Sequence, residues 1–314
     1  MPTASSQSQL AAVHRPPTPQ PQAAVTLRPR SGGARAWVRA LRVRQWTKNL
    51  LVLAAPAAAG VLGHPGVLWR VVVTAGAFCL LASGAYLIND VRDAPEDRRH
   101  PTKRHRPIAS GAVPAAAALP VGAGLVVIGL GVSLVVSDEM FATAFGYVAL
   151  NAVYTGLLRR VPVADIVAIA GVFVIRALAG AVAAQVPISR WFIVFVSWGA
   201  VFVATGKRYA DCVDPAARSS RRVLQTYSAG FLRLVLAISC AMALATYFMW
   251  AFQTSSPGGG PWRELTVVPL VMVTLRYRTV AARGAGGAPE RVLFSDRFVQ
   301  LAGTIWLAMF ALGV

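Results

Sequence analysis

Charged residues are scarce in this 314-residue chain. Only 14% of its residues are Asp, Glu, Lys or Arg, whereas 56% are apolar. An ordinary soluble domain carries about one-quarter charged residues. The composition therefore argues against a wholly soluble globular protein.

Cysteine and acidic residues are also few. The three cysteines, Cys79, Cys212 and Cys240, have no paired spacing, so the sequence indicates neither a disulfide framework nor a zinc site. Twelve acidic residues stand against 31 Lys and Arg, which gives a net charge of +19. In a soluble protein this excess would suggest a nucleic-acid partner. Here the bases lie in short stretches between long uncharged runs, so we predict a lipid bilayer environment and no nucleic-acid partner.

Residues 1–40 are rich in Pro, Gln, Ser and Ala and show no apolar periodicity. Such a segment buries too little apolar surface to offset the entropy of ordering. We predict a disordered basic cytoplasmic tail over 1–40 and a transmembrane helical domain over 41–314.

Nine apolar segments follow, and most approach the roughly 20 helical residues that a bilayer core requires. The fold class predicted from them is all-α, a polytopic membrane protein with nine transmembrane helices. The first and eighth segments are short. The segments cover residues 46–62, 67–88, 113–136, 140–158, 163–183, 187–205, 230–252, 262–275 and 298–314.

The distribution of basic residues supports this count. With the amino-terminal tail placed inside, 26 of the 31 Lys and Arg lie on the inner side and three on the outer side, while Arg176 and Arg233 fall within helices. The positive-inside rule produces such an asymmetry. We therefore predict a multi-pass protein of the plasma membrane whose polar loops, and any active site they form, face the cytoplasm.

The first inner polar segment combines carboxylates with bases. If the preceding helix continues into it, Asp90, Asp93 and Asp97 lie along one face. Clustered carboxylates repel one another unless a hard cation such as Mg²⁺, shared with substrate phosphates, lies between them. The neighbouring bases, which would suit further phosphate oxygens, are Lys103, Arg104 and Arg106. The segment predicts a site for a diphosphate substrate.

Two other readings of this segment stay open. Pro95 lies between the acids, where it removes a backbone donor, so Asp97 either shares the face of Asp90 or begins a new turn. The acids and bases could also simply pair with each other in a polar loop.

The second inner polar segment, residues 206–214, also starts where an apolar run ends. It contains Lys207, Arg208, Asp211 and Asp214. Alone, it is equally well explained as a solvated helix end. Paired with the first segment, it predicts the opposite wall of a site, and a metal role for Asp211 or Asp214 is left open.

The residues Asn89, Asp90, Asp93 and Asp97, followed by Arg106 and Pro107, resemble the first aspartate-rich motif of the UbiA-type intramembrane prenyltransferase superfamily. Three stretches resemble one branch of that superfamily more closely, the decaprenyl-phosphate 5-phosphoribosyltransferases. These are residues 42–49, 100–108 and 206–209. The resemblance implies a nine-helix bundle with two polar motifs on its cytoplasmic side.

The resemblance also implies a reaction. The donor would be 5-phosphoribosyl 1-diphosphate, the acceptor a polyprenyl (decaprenyl) phosphate, and the product a precursor of cell-wall arabinan. Asp90, Asp93 and Asp97 would be the catalytic residues and hold Mg²⁺. The implied substrate-binding residues are Lys48, which would meet the acceptor phosphate, and Asn89, Lys103, Arg104, Arg106, Tyr154, Arg159, Lys207, Arg208, Tyr209 and Asp211.

Other functions were weighed against this one. An aromatic prenyltransferase would bind a prenyl diphosphate through the same carboxylates, a transporter would line a route through the bilayer with polar residues, and a scaffold would need no metal. Asp165 and Arg176, inside the fifth apolar segment, are expected to pair with other helices. Small residues such as Gly180 favour close helix packing. A homo-oligomer is possible, and the sequence does not test it.

Overall fold

The computed structural model describes residues 33–220, 222–253, 261–287 and 289–313, and within these ranges the chain forms helices and no strand. Most of the predicted disordered tail, residues 1–32, lies outside the described residues. The last part of that predicted tail is ordered, because Ala34–Ala40 form helix α1 and bury Ala36 and Ala40 against the end of the third helix. The folded domain therefore begins before residue 41.

The remaining elements follow in chain order. A 3₁₀ segment, Val43–Leu53, runs into α2 (Ala54–Ala58), and α3 (Pro65–Arg99) is the longest helix. They are followed by α4 (Ala115–Val136), α5 (Asp138–Gly156), α6 (Ala164–Ala184), α7 (Arg190–Val213), α8 (Pro215–Ser220), α9 (Arg222–Thr226), α10 (Ala229–Gln253), α11 (Trp262–Leu265), α12 (Val267–Val280), a π-helical turn (Ala281–Ala285), α13 (Pro289–Ser295) and α14 (Arg297–Gly313).

Each predicted apolar segment coincides with one of these helical stretches. Five helical stretches in the described ranges are long and apolar enough to cross a membrane, namely α3, α4, α6, α10 and the continuous stretch Trp262–Ala285. Large apolar side chains also lie exposed on the outside of the bundle, among them Val127, Val135 and Phe145. The chain is thus a multi-pass, all-α membrane protein, and nine crossings remain a prediction.

Two helices extend further than their apolar runs. The prediction ended the second and sixth segments at residues 88 and 205, whereas α3 continues to Arg99 and α7 to Val213. Pro95 lies inside α3 without ending it. Pro95 is exposed, and Arg106 contacts both Asp90 and Asp97 across the turn that contains it. The two acids therefore share one face, and the alternative that Asp97 begins a new turn is wrong.

Glycine at position 180 allows a very close helix contact. A Cβ placed on Gly180 of α6 would lie 1.8 Å from the carbonyl oxygen of Val52. Ala179 and Ala183 on the same helix are completely buried. This confirms that the small residues of α6 serve helix packing, and it holds the 3₁₀ segment against α6 beside the site.

Candidate active site

The acids of the first motif occupy the last turns of α3, and arginines surround them. The Arg42 Nη2 atom donates to both carboxylate oxygens of Asp90, at 2.6 and 2.8 Å. The Arg106 Nη1 atom donates to Asp90 Oδ1 at 3.2 Å and to Asp97 Oδ2 at 2.7 Å. Asp90 and Asp97 are therefore buried by ion pairs that converge on one face of the helix.

Asp93 points to a different partner. Arg159, in the 3₁₀ turn Leu158–Arg160 that follows α5, donates from Nη1 to Asp93 Oδ1 at 2.9 Å. This ion pair ties the end of α3 to the end of α5. The predicted common face is thus only partly present. Asp90 and Asp97 share the face that Arg106 contacts, whereas Asp93 contacts Arg159 instead.

The three acids of the first motif do not converge on one point. Within the described part of the chain, no group of three or more His, Cys, Asp or Glu side chains could hold a metal ion together. Asp90, Asp93 and Asp97 each form an ion pair with an arginine. These acids and bases therefore contact one another in the structure.

The donor set nevertheless fits a hard cation. Asp90 Oδ1 and Asp97 Oδ2 both face one atom, the positively charged Arg106 Nη1. Two carboxylate oxygens that converge on a single cationic centre offer the oxygen ligands that Mg²⁺ prefers. Asp90 and Asp97 are therefore residues that would hold such an ion.

Arg42 was not among the predicted site residues. It has a left-handed backbone, with φ of 55°, and its guanidinium lies 4.8 Å from the centre of the Tyr86 ring. Burial lowers the pKa of Arg42, but the adjacent Asp90 carboxylate and Tyr86 outweigh that effect, so its pKa is raised. Arg42 lies within the stretch 42–49 that carries the family resemblance, and that was the only sequence signal for it.

The basic residues that follow α3 lie in different surroundings. Arg106 contacts the acids, whereas Arg104 is exposed and donates to His105 at 3.4 Å. Lys103 is half-buried in the 3₁₀ turn Lys103–His105. Asn89 is half-buried on α3 next to Asp90. Arg106 is thus brought to the carboxylates of α3.

The second motif lies on the last turns of α7, and its members separate. Lys207 lines a cleft, whereas Arg208 is 1% exposed and is not among the residues that line it. Arg208 contacts Asp165 at 2.5 Å, Asp211 at 3.0 Å and the Tyr154 hydroxyl at 2.8 Å. Tyr209 is buried in the apolar cluster between α6, α7 and α9. In this structure Arg208 lies in a buried ion-pair network and Tyr209 in an apolar cluster, and a substrate contact for either remains a prediction.

Asp165 closes this buried network. The Tyr227 hydroxyl donates to Asp165 Oδ1 at 2.5 Å and accepts from the Val163 backbone N–H at 2.6 Å. Burial and the hydrogen bond to Asp165 raise the pKa of Tyr227. The prediction that Asp165 pairs with other elements is confirmed, because its partners lie on α7 and between α9 and α10.

A cleft opens beside the last turns of α3 and α7. Its polar lining comes from five elements, the 3₁₀ segment, α3, α5, α6 and α7, and Tyr86 precedes Asp90 by one turn of α3. The cleft is lined by Lys48, Tyr86, Asn151, Tyr154, Ile169, Val172, Phe173, Arg176, Val203, Ala204, Lys207, Gly287 and Pro289. Three predicted residues, Lys48, Tyr154 and Lys207, therefore meet at one cavity.

Lys48 is held at the edge of this cleft by a residue from the far end of the chain. Its Nζ atom lies 4.0 Å from Glu290 Oε2 and contacts Gln45, and Gln45 in turn donates to Glu290 Oε1 at 2.9 Å. Glu290 belongs to α13. Sequence reasoning missed Glu290, since 242 positions separate it from Lys48 and no local pattern marks it.

Comparison with known proteins identifies relatives over most of the chain. The UbiA prenyltransferase family matches residues 50–301. Decaprenyl-phosphate phosphoribosyltransferase of Corynebacterium glutamicum is 36% identical over 285 residues, which cover 88% of this chain and 86% of that protein. The protein of the same name from Mycobacterium tuberculosis is 37% identical over 277 residues, covering 86% of this chain and 91% of that protein.

A solved structure agrees in fold. The UbiA homolog from Archaeoglobus fulgidus bound to DMAPP and Mg²⁺ superposes with a TM-score of 0.67 and 16% identity, covering 88% of this chain and 97% of that one. The family match spans far more than half of the chain, and the two curated relatives exceed 30% identity over most of their lengths. The chain belongs to the UbiA prenyltransferase family.

Proposed function

We propose that this protein is a Mg²⁺-dependent transferase that moves 5-phosphoribose from 5-phosphoribosyl 1-diphosphate to a polyprenyl phosphate, expected to be decaprenyl phosphate, and releases diphosphate. The observation that carries this proposal is that the carboxylates at the end of α3 lie beside a cleft. That cleft is lined by apolar residues and by the cations Lys48, Arg176 and Lys207. The names of the curated relatives support the same donor and acceptor.

The end of α3 is the proposed site of the donor diphosphate. Asp90, Asp93 and Asp97 are the residues that would hold Mg²⁺, which when bound neutralises charge on the departing pyrophosphate. Arg42, Arg106 and Arg159 now contact these acids. A guanidinium released from a carboxylate is well shaped to receive a phosphate in two parallel hydrogen bonds. We assign Arg106, with Lys103 and Arg104, to the donor phosphates.

The cleft is the proposed site of the reacting ribose and the acceptor phosphate. A phosphate monoester is anionic at neutral pH, so it needs no general base before it attacks the anomeric carbon. The harder task is to bring two anions together, and Lys48 and Lys207 on opposite walls reduce their repulsion. Apolar residues such as Ile169 and Val203 exclude water, which would otherwise compete as the nucleophile.

We further propose that the protein lies in the plasma membrane with this site on the cytoplasmic side. The supporting observation is the concentration of Lys and Arg in the segments that carry the two motifs. A charged sugar diphosphate is made in an aqueous compartment, whereas a polyprenyl phosphate resides in the bilayer. A cleft at the cytoplasmic end of the bundle would meet both.

The test is a defined two-substrate assay. The full chain is purified into lipid nanodiscs and incubated with Mg²⁺, radiolabelled 5-phosphoribosyl 1-diphosphate and decaprenyl phosphate. We expect a lipid-soluble labelled product whose mass equals decaprenyl phosphate plus phosphoribose, with one pyrophosphate released for each product. A parallel reaction contains geranyl diphosphate and an aromatic acceptor. Prenylation there, with no lipid-linked phosphoribose in the first reaction, would contradict the proposal and favour an aromatic prenyltransferase.

A further inference from the structure

Arg176 is a buried cation that lines the cleft. It lies in α6, is 3% exposed, and its guanidinium makes three hydrogen bonds to uncharged groups. Nε donates to Asn49 Oδ1 at 2.8 Å, Nη2 to the Tyr147 hydroxyl at 2.8 Å, and Nη1 to the Val172 carbonyl at 2.9 Å. The Tyr147 ring also lies 4.8 Å from its central carbon.

No carboxylate of the described residues forms an ion pair with Arg176. This distinguishes it from Arg208, the other arginine buried within the bundle, which contacts both Asp165 and Asp211. A buried charge without a counter-ion is costly, and intramembrane charges usually pair or mark a ligand pathway. The uncompensated charge of Arg176 therefore indicates an anion that is supplied by a ligand.

The guanidinium retains donors for such an anion. An arginine side chain carries five N–H groups, and three of them are used by Asn49, Tyr147 and Val172. The two that remain belong to Nη1 and Nη2, the pair of atoms that binds phosphate oxygens in a fork geometry. Arg176 lines the same cavity as Lys48 and Lys207.

We propose that Arg176 binds a phosphate monoester in the inner part of the cleft and that the acceptor lipid supplies this group; the inference rests on the proposed function. The alternative source of the same chemistry is the 5-phosphate of the donor. Arg176 is twelve residues from the start of α6 at Ala164, roughly 18 Å along the helix axis. The carboxylates of α3 lie instead at a helix end, beside the exposed basic run.

The direction of attack favours the acceptor. In an in-line substitution an oxygen of the acceptor phosphate forms a bond to the anomeric carbon on the face opposite the pyrophosphate, whose bond to that carbon breaks, so the acceptor would approach from the side away from Asp90 and Asp97. The cleft that Arg176 lines also contains Val172 and Phe173, which suit an isoprenoid chain better than a sugar. Arg176 therefore receives the acceptor phosphate while its chain lies along the apolar wall.

The kinetic test compares Arg176→Met with Arg176→Lys. We expect Arg176→Met to raise the KM for decaprenyl phosphate about 10- to 100-fold, the usual effect of losing a charge-assisted hydrogen bond, with the KM for 5-phosphoribosyl 1-diphosphate unchanged. Arg176→Lys should recover part of the loss. Arg263→Met is the matched control, because Arg263 stacks on Trp250, contacts the Gly313 carbonyl and does not line the cleft.

A binding measurement separates this inference from the proposed function. The melting temperature of the full chain in nanodiscs is recorded with decaprenyl phosphate and with decaprenol, which lacks the phosphate. We expect the phosphate to stabilise the wild type and Arg263→Met but not Arg176→Met, whether or not phosphoribose is transferred. An unchanged acceptor KM in Arg176→Met, a raised donor KM in its place, or equal stabilisation by the two lipids would overturn the assignment.

Discussion

Asp90 contacts two arginines, whereas Glu96, six residues later on α3, is exposed. We predict that Asp90→Asn lowers the rate of phosphoribosyl transfer at least 100-fold, because a neutral amide is a poor ligand for Mg²⁺ and for the cations around it. The measurement is the initial rate in the two-substrate assay with Mg²⁺ varied.

The Asp90→Asn variant should still fold. Arg106 keeps its contact with Asp97 at 2.7 Å after the change, and Arg42 is only partly buried. Glu96→Gln removes one carboxylate from the same helix and should leave the rate unchanged. Full turnover by Asp90→Asn, with a melting temperature equal to that of the wild type, would remove Asp90 from the catalytic set.

Asp165 pairs with the buried Arg208. We therefore expect its substitution to change the stability of the fold. Asp165→Asn leaves the buried Arg208 without its shortest ion pair, and breaking a buried pair by removing one partner costs about 3–5 kcal/mol. We expect a strongly lowered melting temperature. The double variant Asp165→Asn, Arg208→Met should recover part of the loss, because the unpaired charge is then absent. A double variant less stable than either single one would contradict this coupling.

Residue types at the site could be predicted from the sequence, but their partners could not. Asp90, Asp97 and Lys207 were identified because they lie in polar segments at the ends of apolar runs, and Lys48 because the family resemblance covers it. Arg208 was assigned to the substrate beside Lys207, yet adjacent residues on a helix point about 100° apart. Only the fold reveals that one of them enters the cleft and the other reaches Asp165.

At the scale of elements, the contact between α6 and the 3₁₀ segment depends on one glycine. Gly180→Ala places a Cβ against the Val52 carbonyl, a backbone atom that moves only if the whole segment moves. We predict a loss of about 1–3 kcal/mol in the free energy of unfolding. Chemical denaturation in detergent measures it.

Gly124 on α4 provides the control for that experiment. A Cβ on Gly124 meets nothing within 4 Å, so Gly124→Ala should be neutral or slightly stabilising, as expected from helix propensity. Since the 3₁₀ segment carries Lys48, Gly180→Ala should also lower the transferase rate. Equal stability of the two alanine variants would argue against the close contact.

The ends of helices were the elements least accessible to sequence reasoning. Hydropathy locates where a chain leaves the lipid, and it set the ends of the second and sixth segments at residues 88 and 205. The helices continue for 11 and eight residues respectively, to Arg99 and Val213. Those polar extensions carry both motifs, so the site lies on helix ends that hydropathy had assigned to loops.

At the scale of the whole molecule, the proposed orientation can be tested by labelling. In a variant with Cys79, Cys212 and Cys240 replaced, Arg99→Cys should react with a membrane-impermeant maleimide only in inside-out vesicles. Arg190→Cys should react only in right-side-out vesicles, since both positions are exposed and the charge distribution places them on opposite sides. Labelling of both from one side would overturn the predicted topology and with it the cytoplasmic site.

The architecture of the bundle was predictable from the sequence to the level of its nine helical segments. Length and composition identify only five crossing helices in the described ranges. The others are shorter or more polar. Arg190–Val213, for example, ends in the second motif, so the residues of that motif also weaken the membrane signal of this helix.

The unpaired charge of Arg176 has a consequence for how substrates arrive. Asp90, Asp93 and Asp97 are each paired with a guanidinium, whereas Arg176 deeper inside has no acidic counterpart in the described structure. The low polarisability of its surroundings makes the potential of Arg176 strong, and dissolved ions screen it weakly. A lipid headgroup bearing negative charge would be drawn inward and would keep its affinity in salt concentrations that abolish attraction at the outer surface.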